Sequence, residues 1–217
     1  MKILFKYTTR SRPQLFERGM WSIIGNVSDD NYEILVTADN DDASMHNHSF
    51  LNHPKVKTVF DRSINKINAI NRDMDKVKDW DILVNMSDDM LFTYKGFDKI
   101  IRDNFDNLGQ CLHFPDQANT PIIVLSILGR DFYDRFNYIY HPDYISLFCD
   151  NEQTDVARLI GAYKYVDHRI FEHLHPAFGK ATLDAQYQHT ESFYQTDKVT
   201  YERRKSFNFG LPKEWII

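Results

Sequence analysis

Four short apolar runs, Ile3–Tyr7, Tyr32–Ala38, Val56–Phe60 and Ile82–Met86, recur through the first part of the chain, with helix-compatible sequence between them. Runs of this length, apolar at successive positions, predict strands buried on both faces. After the first run, Pro13 opens a segment whose Leu15, Phe16, Met20, Ile23, Ile24 and Val27 repeat at helical spacing. Asn65 to Met74 places Ile67, Ile70 and Met74 on one side of a second helix. Strands alternating with helices require right-handed βαβ crossovers and a mainly parallel sheet. The expected fold class is α/β, a single domain with a mainly parallel mixed sheet flanked by helices.

The second half is less regular. Helices are expected over Gly96–Phe105, Arg130–Phe136 and Glu152–Ile160, the last ending at Gly161 as a C-cap. Strands are expected over Cys111–Phe114 and Ile122–Leu128, and a final helical stretch from Thr182 to about Lys205 is laid across the domain. The 217 residues suffice for one domain with a sizeable core, and 42% hydrophobic and 14% aromatic content excludes a disordered chain. A net charge of −5 argues against a surface that coats nucleic acid. Cys111 and Cys149 lie in apolar contexts and read as buried thiols in a reducing compartment, without zinc spacing. Met1–Lys6 is too short an apolar run for a signal peptide, and no stretch approaches a membrane span. A soluble, cytoplasmic protein is expected.

The run Ile82–Met86 leads through Ser87 into Asp88 and Asp89. A core strand that delivers acids to its C-terminal end places them where open α/β sheets bind ligands. Adjacent carboxylates repel unless a cation lies beside them, and hard oxygen ligands suit Mg²⁺ or Mn²⁺. The same residues also make good turn chemistry. The first strand delivers Thr8, Thr9, Arg10 and Arg12 to that edge, and the second delivers Asp39. Such a crevice suits a nucleotide diphosphate: Asp39 would accept from base or ribose donors, and Arg10 or Arg12 would neutralise phosphate charge. No Gly-x-Ser-x-Gly, P-loop or Gly-x-Gly-x-x-Gly is present, so hydrolase-elbow, NTPase and dinucleotide readings lack their loops. The aromatics Phe132, Tyr133, Phe136, Tyr138 and Tyr140 read as core rather than as a platform for a sugar.

The order Thr8–Pro13, Asp39–Asp42, Asn65–Asn71 and Ser87-Asp88-Asp89 along alternating strands and helices resembles the GT-A nucleotide-sugar glycosyltransferases, most of all those of glycosyltransferase family 2. The resemblance implies that Thr8, Thr9, Arg10 and Arg12 hold the nucleotide. It makes Asp39 the base-contacting acid and places Asn65 and Lys66 near the nucleotide and diphosphate. Asp89 matches the metal-binding acid that closes a D-x-D element. Ser87 stands where that element begins with an acid, so the division of labour between Asp88 and Asp89 stays open. Residues 1–110 would form the nucleotide-binding half, and residues 111–217 the half that receives the acceptor and completes the metal shell.

In the second half the resemblance points to Asp150, with Glu152 as the alternative, for the base that deprotonates the attacking hydroxyl. Asp150 with Gln153 also reads as a helix capping box. His173 and His175 alternate on an extended segment, so one of them would reach the metal, and imidazole suits Mn²⁺ better than Mg²⁺. Gly179–Asp184 would form a cover over the donor.

The function implied is metal-dependent transfer of a sugar from a nucleotide diphosphate donor to a hydroxyl acceptor, with inversion if Asp150 or Glu152 is the base. One rival is a nucleotidyltransferase of similar build, although the first loop has no glycine. The other is a nucleotide- or glycan-binding domain without catalysis, which Ser87 keeps open. The length leaves little room for an acceptor domain, so a partner or homo-oligomer would complete that site. A small molecule, a glycan, a lipid-linked sugar or modified DNA all suit the acceptor role.

Overall fold

The computed structural model describes residues 1–174 and 185–217, the side chain of Gln186 aside. Seven strands form one sheet in the order β3-β2-β1-β4-β7-β6-β8. They are β1 (Ile3–Thr9), β2 (Tyr32–Asp39), β3 (Val56–Asp61), β4 (Ile82–Met86), β6 (Cys111–His113), β7 (Ile127–Gly129) and β8 (Tyr163–Tyr165). Strand β1 pairs in parallel with β2 and β4, β2 with β3, and β6 with β8; β7 runs antiparallel to β4 and β6. A second, two-stranded sheet pairs β5 (Met90–Phe92) with β9 (Phe171–His173). The helices are α1 (Pro13–Asn26), α2 (Lys66–Asn71), α3 (Phe97–Asp103), α4 (Arg130–Phe136), α5 (Cys149–Leu159), α6 (Ala185–Glu191) and α7 (Tyr194–Lys205). The fold class is the α/β arrangement expected, a mainly parallel mixed sheet between helices.

Alternation along the central strands sorts their side chains into two core layers. Ile3, Phe5 and Tyr7 of β1 join Ile34, Val36, Ile82 and Val84 in the layer under α1. Leu4, Leu35 and Leu83 point the other way, against Ile67 and Ile70 of α2. Helix α1 lies so close to β1 that a Cβ on Gly19 would stand 2.0 Å from the Tyr7 hydroxyl. Toward the C-terminal ends the second face turns polar: Lys6, Thr37, Asp39 and Asn85 are all buried there. Polar groups in a doubly covered sheet are costly to bury unless they are bonded or used.

Several boundaries differ from expectation for identifiable reasons. Helix α2 stops at Asn71 because Arg72 is extended and Asp73 takes φ +72°. Only Ile127–Gly129 of the expected strand Ile122–Leu128 joins the ladder. Upstream, Asp116 accepts from Ala118 N, Thr120 N and Thr120 Oγ1, and Ile123 N donates to Thr154 Oγ1, so that backbone bonds elsewhere. Helix α5 begins at Cys149 rather than Glu152, and Gly161 follows it with φ +66°. The final helical stretch is two helices, α6 and α7. Among the described residues no helix is long and apolar enough to cross a membrane.

Candidate functional site

A cavity of about 740 Å³ opens over the C-terminal ends of β1, β2 and β4. Thr8, Thr9, Arg10, Arg12 and Asp39 line it from the first two strands, and Asn65 and Lys66 from the start of α2. Asp88, Asp89, Asp150 and His173 complete the set of expected residues it gathers. Glu152 is not among them. His175 and the Gly179–Asp184 segment lie outside the described residues.

At one end, Asp39 accepts from the Ser63 backbone N–H at 3.0 Å and from the Arg10 guanidinium. Arg10 also grips Asp41 through both terminal nitrogens, at 2.7 and 3.0 Å. Asp42 accepts from Ser11 N, so the acidic cluster and the first loop are wired together. Arg10 therefore belongs to the Asp39 end rather than to the acid pair. Behind Asp39, Arg72 donates to Ala38 O and pairs with Asp73 at 2.7 Å, and Asp73 accepts from Thr37. Lys6 donates to Thr37 from the core. Burial pushes the Lys6 ammonium down to about 7, against the attraction of Asp73. The Asn65 side chain caps α2, accepting from Asn68 N at 2.7 Å. Lys66 makes no side-chain hydrogen bond or ion pair among the described residues; its charge acts on both Asp89 and Asp150.

At the acid pair the two carboxylates differ. Burial pushes Asp88 up to about 7, with Arg12 opposing and Asp89 adding to the rise, and Thr9 Oγ1 lies 3.4 Å from its Oδ2. Burial also acts to raise Asp89, but hydrogen bonding and charge from His173, then Ser87 and Lys66, hold it well below the carboxylate range. His173 Nε2 is 3.5 Å from Asp89 Oδ2, because β9 pairs with β5 and sets His173 opposite Met90. The Ser87 hydroxyl donates to Asp89 Oδ1. Serine in place of the first acid thus orients the last one.

At the other end stands Asp150, half-buried in the first turn of α5. Burial raises its carboxyl above the ordinary value, opposed by the Asn151 N–H and by the Lys66 charge. Asp150 does not cap the helix: Phe148 occupies the N-cap, and Gln153 donates to Ile139 O. Phe148 holds φ +60°, a conformation that costs a non-glycine residue roughly 1–2 kcal/mol. Its ring stacks on Tyr201 of α7 at 5.7 Å, which keeps it there. Two residues on, Glu152 turns into the protein. Arg204 of α7 grips it through two bonds of 2.7 and 2.8 Å, and the Tyr144 hydroxyl donates to it at 2.7 Å. A carboxylate so engaged is 3% exposed and does not face the cavity.

No protein-family model matches the chain, and no curated protein matches it in sequence. Solved structures do. The mannosyltransferase PcManGT from Pyrobaculum calidifontis, in complex with GDP-Man and Mn²⁺, matches with TM-score 0.64 at 13% identity, over 77% of this chain and 55% of its own. S. aureus TarS 1-349 matches with TM-score 0.63 at 12% identity, over 80% of this chain and 60% of its own. The same TarS fragment in complex with UDP-GlcNAc gives 0.61 at 13%, over 79% and 58%. The chain has a GT-A-type glycosyltransferase fold. It spans 55–60% of the length of these three structures.

Within this glycosyltransferase fold, several residues on or behind the cavity escaped the sequence reading. Tyr187 of α6 lies under the Arg12 guanidinium at 4.5 Å and donates its hydroxyl to Asp89 Oδ2 at 3.1 Å. Asp197 of α7 is fully buried and accepts from Ile145, Ser146 and Leu147 N at 2.8–2.9 Å, fixing a loop that lines the cavity. Tyr187 and Asp197 left no signal, since both sit among polar and charged helical residues. Lys6, Thr37 and Asn85 did leave one: each interrupts an otherwise apolar buried strand on the same face. Of the aromatics expected in the core, Phe132 is buried there, while Tyr140, also buried, borders the cavity.

Proposed function

We propose that this chain transfers a sugar from a nucleotide diphosphate donor to a hydroxyl acceptor with the help of a divalent metal, and that the anomeric centre inverts. The supporting observation is that one cavity collects Asp39, the Asp89–His173 pair and Asp150. The nucleoside would lie toward Asp39 and Ser63, with the diphosphate toward Lys66 and Arg12. The half up to residue 110 then serves the donor, and the rest supplies the base and the histidine.

The donor set suits a metal. Asp89 keeps its charge and His173 offers an imidazole beside it, a combination that favours Mn²⁺ over Mg²⁺. Among the described residues no group of three or more metal-ligating side chains converges, so diphosphate oxygens and water would fill the remaining positions, a common arrangement for such ions. A bound metal supplies charge stabilisation to the departing diphosphate.

Asp150 acts as the base. As the acceptor oxygen bonds to the anomeric carbon, the bond from that carbon to the phosphate oxygen breaks, and Asp150 takes the hydroxyl proton. A carboxyl raised by burial is a better proton acceptor than an exposed one. The buried Glu152–Arg204 pair and Asp197 hold α5 and its preceding loop in place for it.

The test is a thermal-shift screen of UDP, GDP and their sugars with and without Mn²⁺, followed by release of nucleotide from any donor that binds. Mn²⁺-dependent binding and turnover, with turnover lost in Asp150→Asn, is the expected result. One alternative is a nucleotide-binding domain without catalysis, which Ser87 at the head of the acid pair keeps in play. Binding without turnover would select it.

A further inference from the structure

Asn85 Oδ1 and Ser146 Oγ, both in residues that line the cavity, have no hydrogen-bond partner among the described residues. Asn85 is 7% exposed and Ser146 is 4% exposed, so bulk water does not serve them. Folded proteins keep few such atoms, because a buried polar group without a partner destabilises the native state. The Asn85 side chain hydrogen-bonds the buried Tyr140 hydroxyl, which leaves its Oδ1 over, and Ser146 Oγ is left over likewise among the described residues. Asn85 breaks the apolar β4 run between Val84 and Met86, where an aliphatic residue would pack. Ser146 is held by its backbone N–H on Asp197, which leaves the hydroxyl unnecessary to the loop.

The two groups have compatible chemistry. Asn85 Oδ1 only accepts, whereas the Ser146 hydroxyl both donates and accepts. Neither carries the charge that makes a strong phosphate or metal site. Phe193, half-buried, borders the same cavity and offers an apolar face. A ring bearing several hydroxyls and an apolar C–H face answers all three.

We propose that Asn85 and Ser146 are the hydroxyl-reading residues of a sugar subsite in this cavity, with Phe193 at its edge. The proposal rests on the glycosyltransferase reading. The hydroxyls come either from the sugar of the donor or from a sugar acceptor.

Ser146→Ala and Asn85→Leu remove the two groups with little change of volume. Binding of UDP, GDP, UDP-GlcNAc and GDP-Man is measured with Mn²⁺, together with the KM for transfer to a panel of methyl glycosides. Both variants should bind UDP or GDP unchanged, and Ser146→Ala should unfold at or above the wild-type temperature. If the subsite holds the donor sugar, the affinity added by the sugar falls roughly tenfold. If it holds the acceptor, donor affinity stays and the KM for methyl glycosides rises by a similar factor. Unchanged behaviour in both assays would mean that the atoms serve buried water, and would overturn the proposal. A lowered unfolding temperature with all affinities reduced alike would overturn it too, by showing a packing role. A wild type that binds no nucleotide would refute the glycosyltransferase reading itself.

Discussion

His173 Nε2 stands 3.5 Å from Asp89 Oδ2, and the two residues meet only because β9 pairs antiparallel with β5. The contact joins the first half of the chain to the second. With the Ser87 hydroxyl on the other carboxylate oxygen, it keeps Asp89 ionised. Of the acid pair Asp89 is the one held charged, as the proposed metal role requires, whereas Asp88 is pushed up by burial.

Asp89→Ala should abolish the Mn²⁺-dependent part of nucleotide binding, and His173→Ala should weaken it by about tenfold, near 1.4 kcal/mol. Chelation by EDTA should reproduce the Asp89→Ala result in the wild type. Calorimetric titration of Mn²⁺ with UDP or GDP checks this. Equal affinity in all three proteins would remove the metal assignment.

The Glu152–Arg204 pair is buried and doubly bonded. Arg204→Met leaves the buried Glu152 without its cation, which should cost about 3–5 kcal/mol. Urea unfolding reads this as a lower midpoint. Glu152→Gln should likewise lose stability while its folded fraction keeps turning over donor, in contrast to Asp150→Asn. Full loss of turnover in folded Glu152→Gln would return Glu152 to the list of bases.

Asp197 accepts three backbone N–H groups, that of Ser146 buried and those of Ile145 and Leu147 partly so. Asp197→Ala leaves all three without a protein partner, at about 1–3 kcal/mol each when unsatisfied, so a total of at least ~3 kcal/mol is expected. Amide exchange of Ile145, Ser146 and Leu147 should accelerate most. Protection unchanged at those three amides would show that other contacts hold the loop.

Lys6 gives a pH dependence of known sign. Its pKa is lowered by burial to about 7, whereas an unfolded lysine titrates near ~10.4. Between these values the unfolded chain binds the extra proton, so stability rises with pH. Below pH 7 both states are protonated and the penalty of burying the charge is complete. Lys6→Met should not show this rise. From pH 7 to 9 the wild type should gain about 2 kcal/mol on the variant, with ~1.4 kcal/mol per pH unit as the ceiling. Parallel stability curves would contradict the assignment.

Ile82–Met86 and Arg130–Phe136 were legible to the residue, because an apolar run between polar flanks or a helical repeat is a local property. The short strands β5, β8 and β9 were not, since three residues carry no period. The capping-box reading of Asp150 failed for a related reason. Phe148 begins α5 in a left-handed conformation, with its ring packed on Tyr201 of α7.

The sequence by itself determined that strands would alternate with helices and that Thr8 to Arg12, Asp39, Asp88 and Asp89 would reach one edge of the sheet, because period and strand order are written in neighbouring residues. Only the tertiary structure turned Asp150 to the cavity and Glu152 into the protein, placed His173 at Asp89, brought Tyr187 to the cavity wall and set Asp197 behind the loop that lines it. Those choices depend on pairings between distant segments. An Asp or Glu in a first helical turn looks the same in sequence whether it faces a cavity or Arg204.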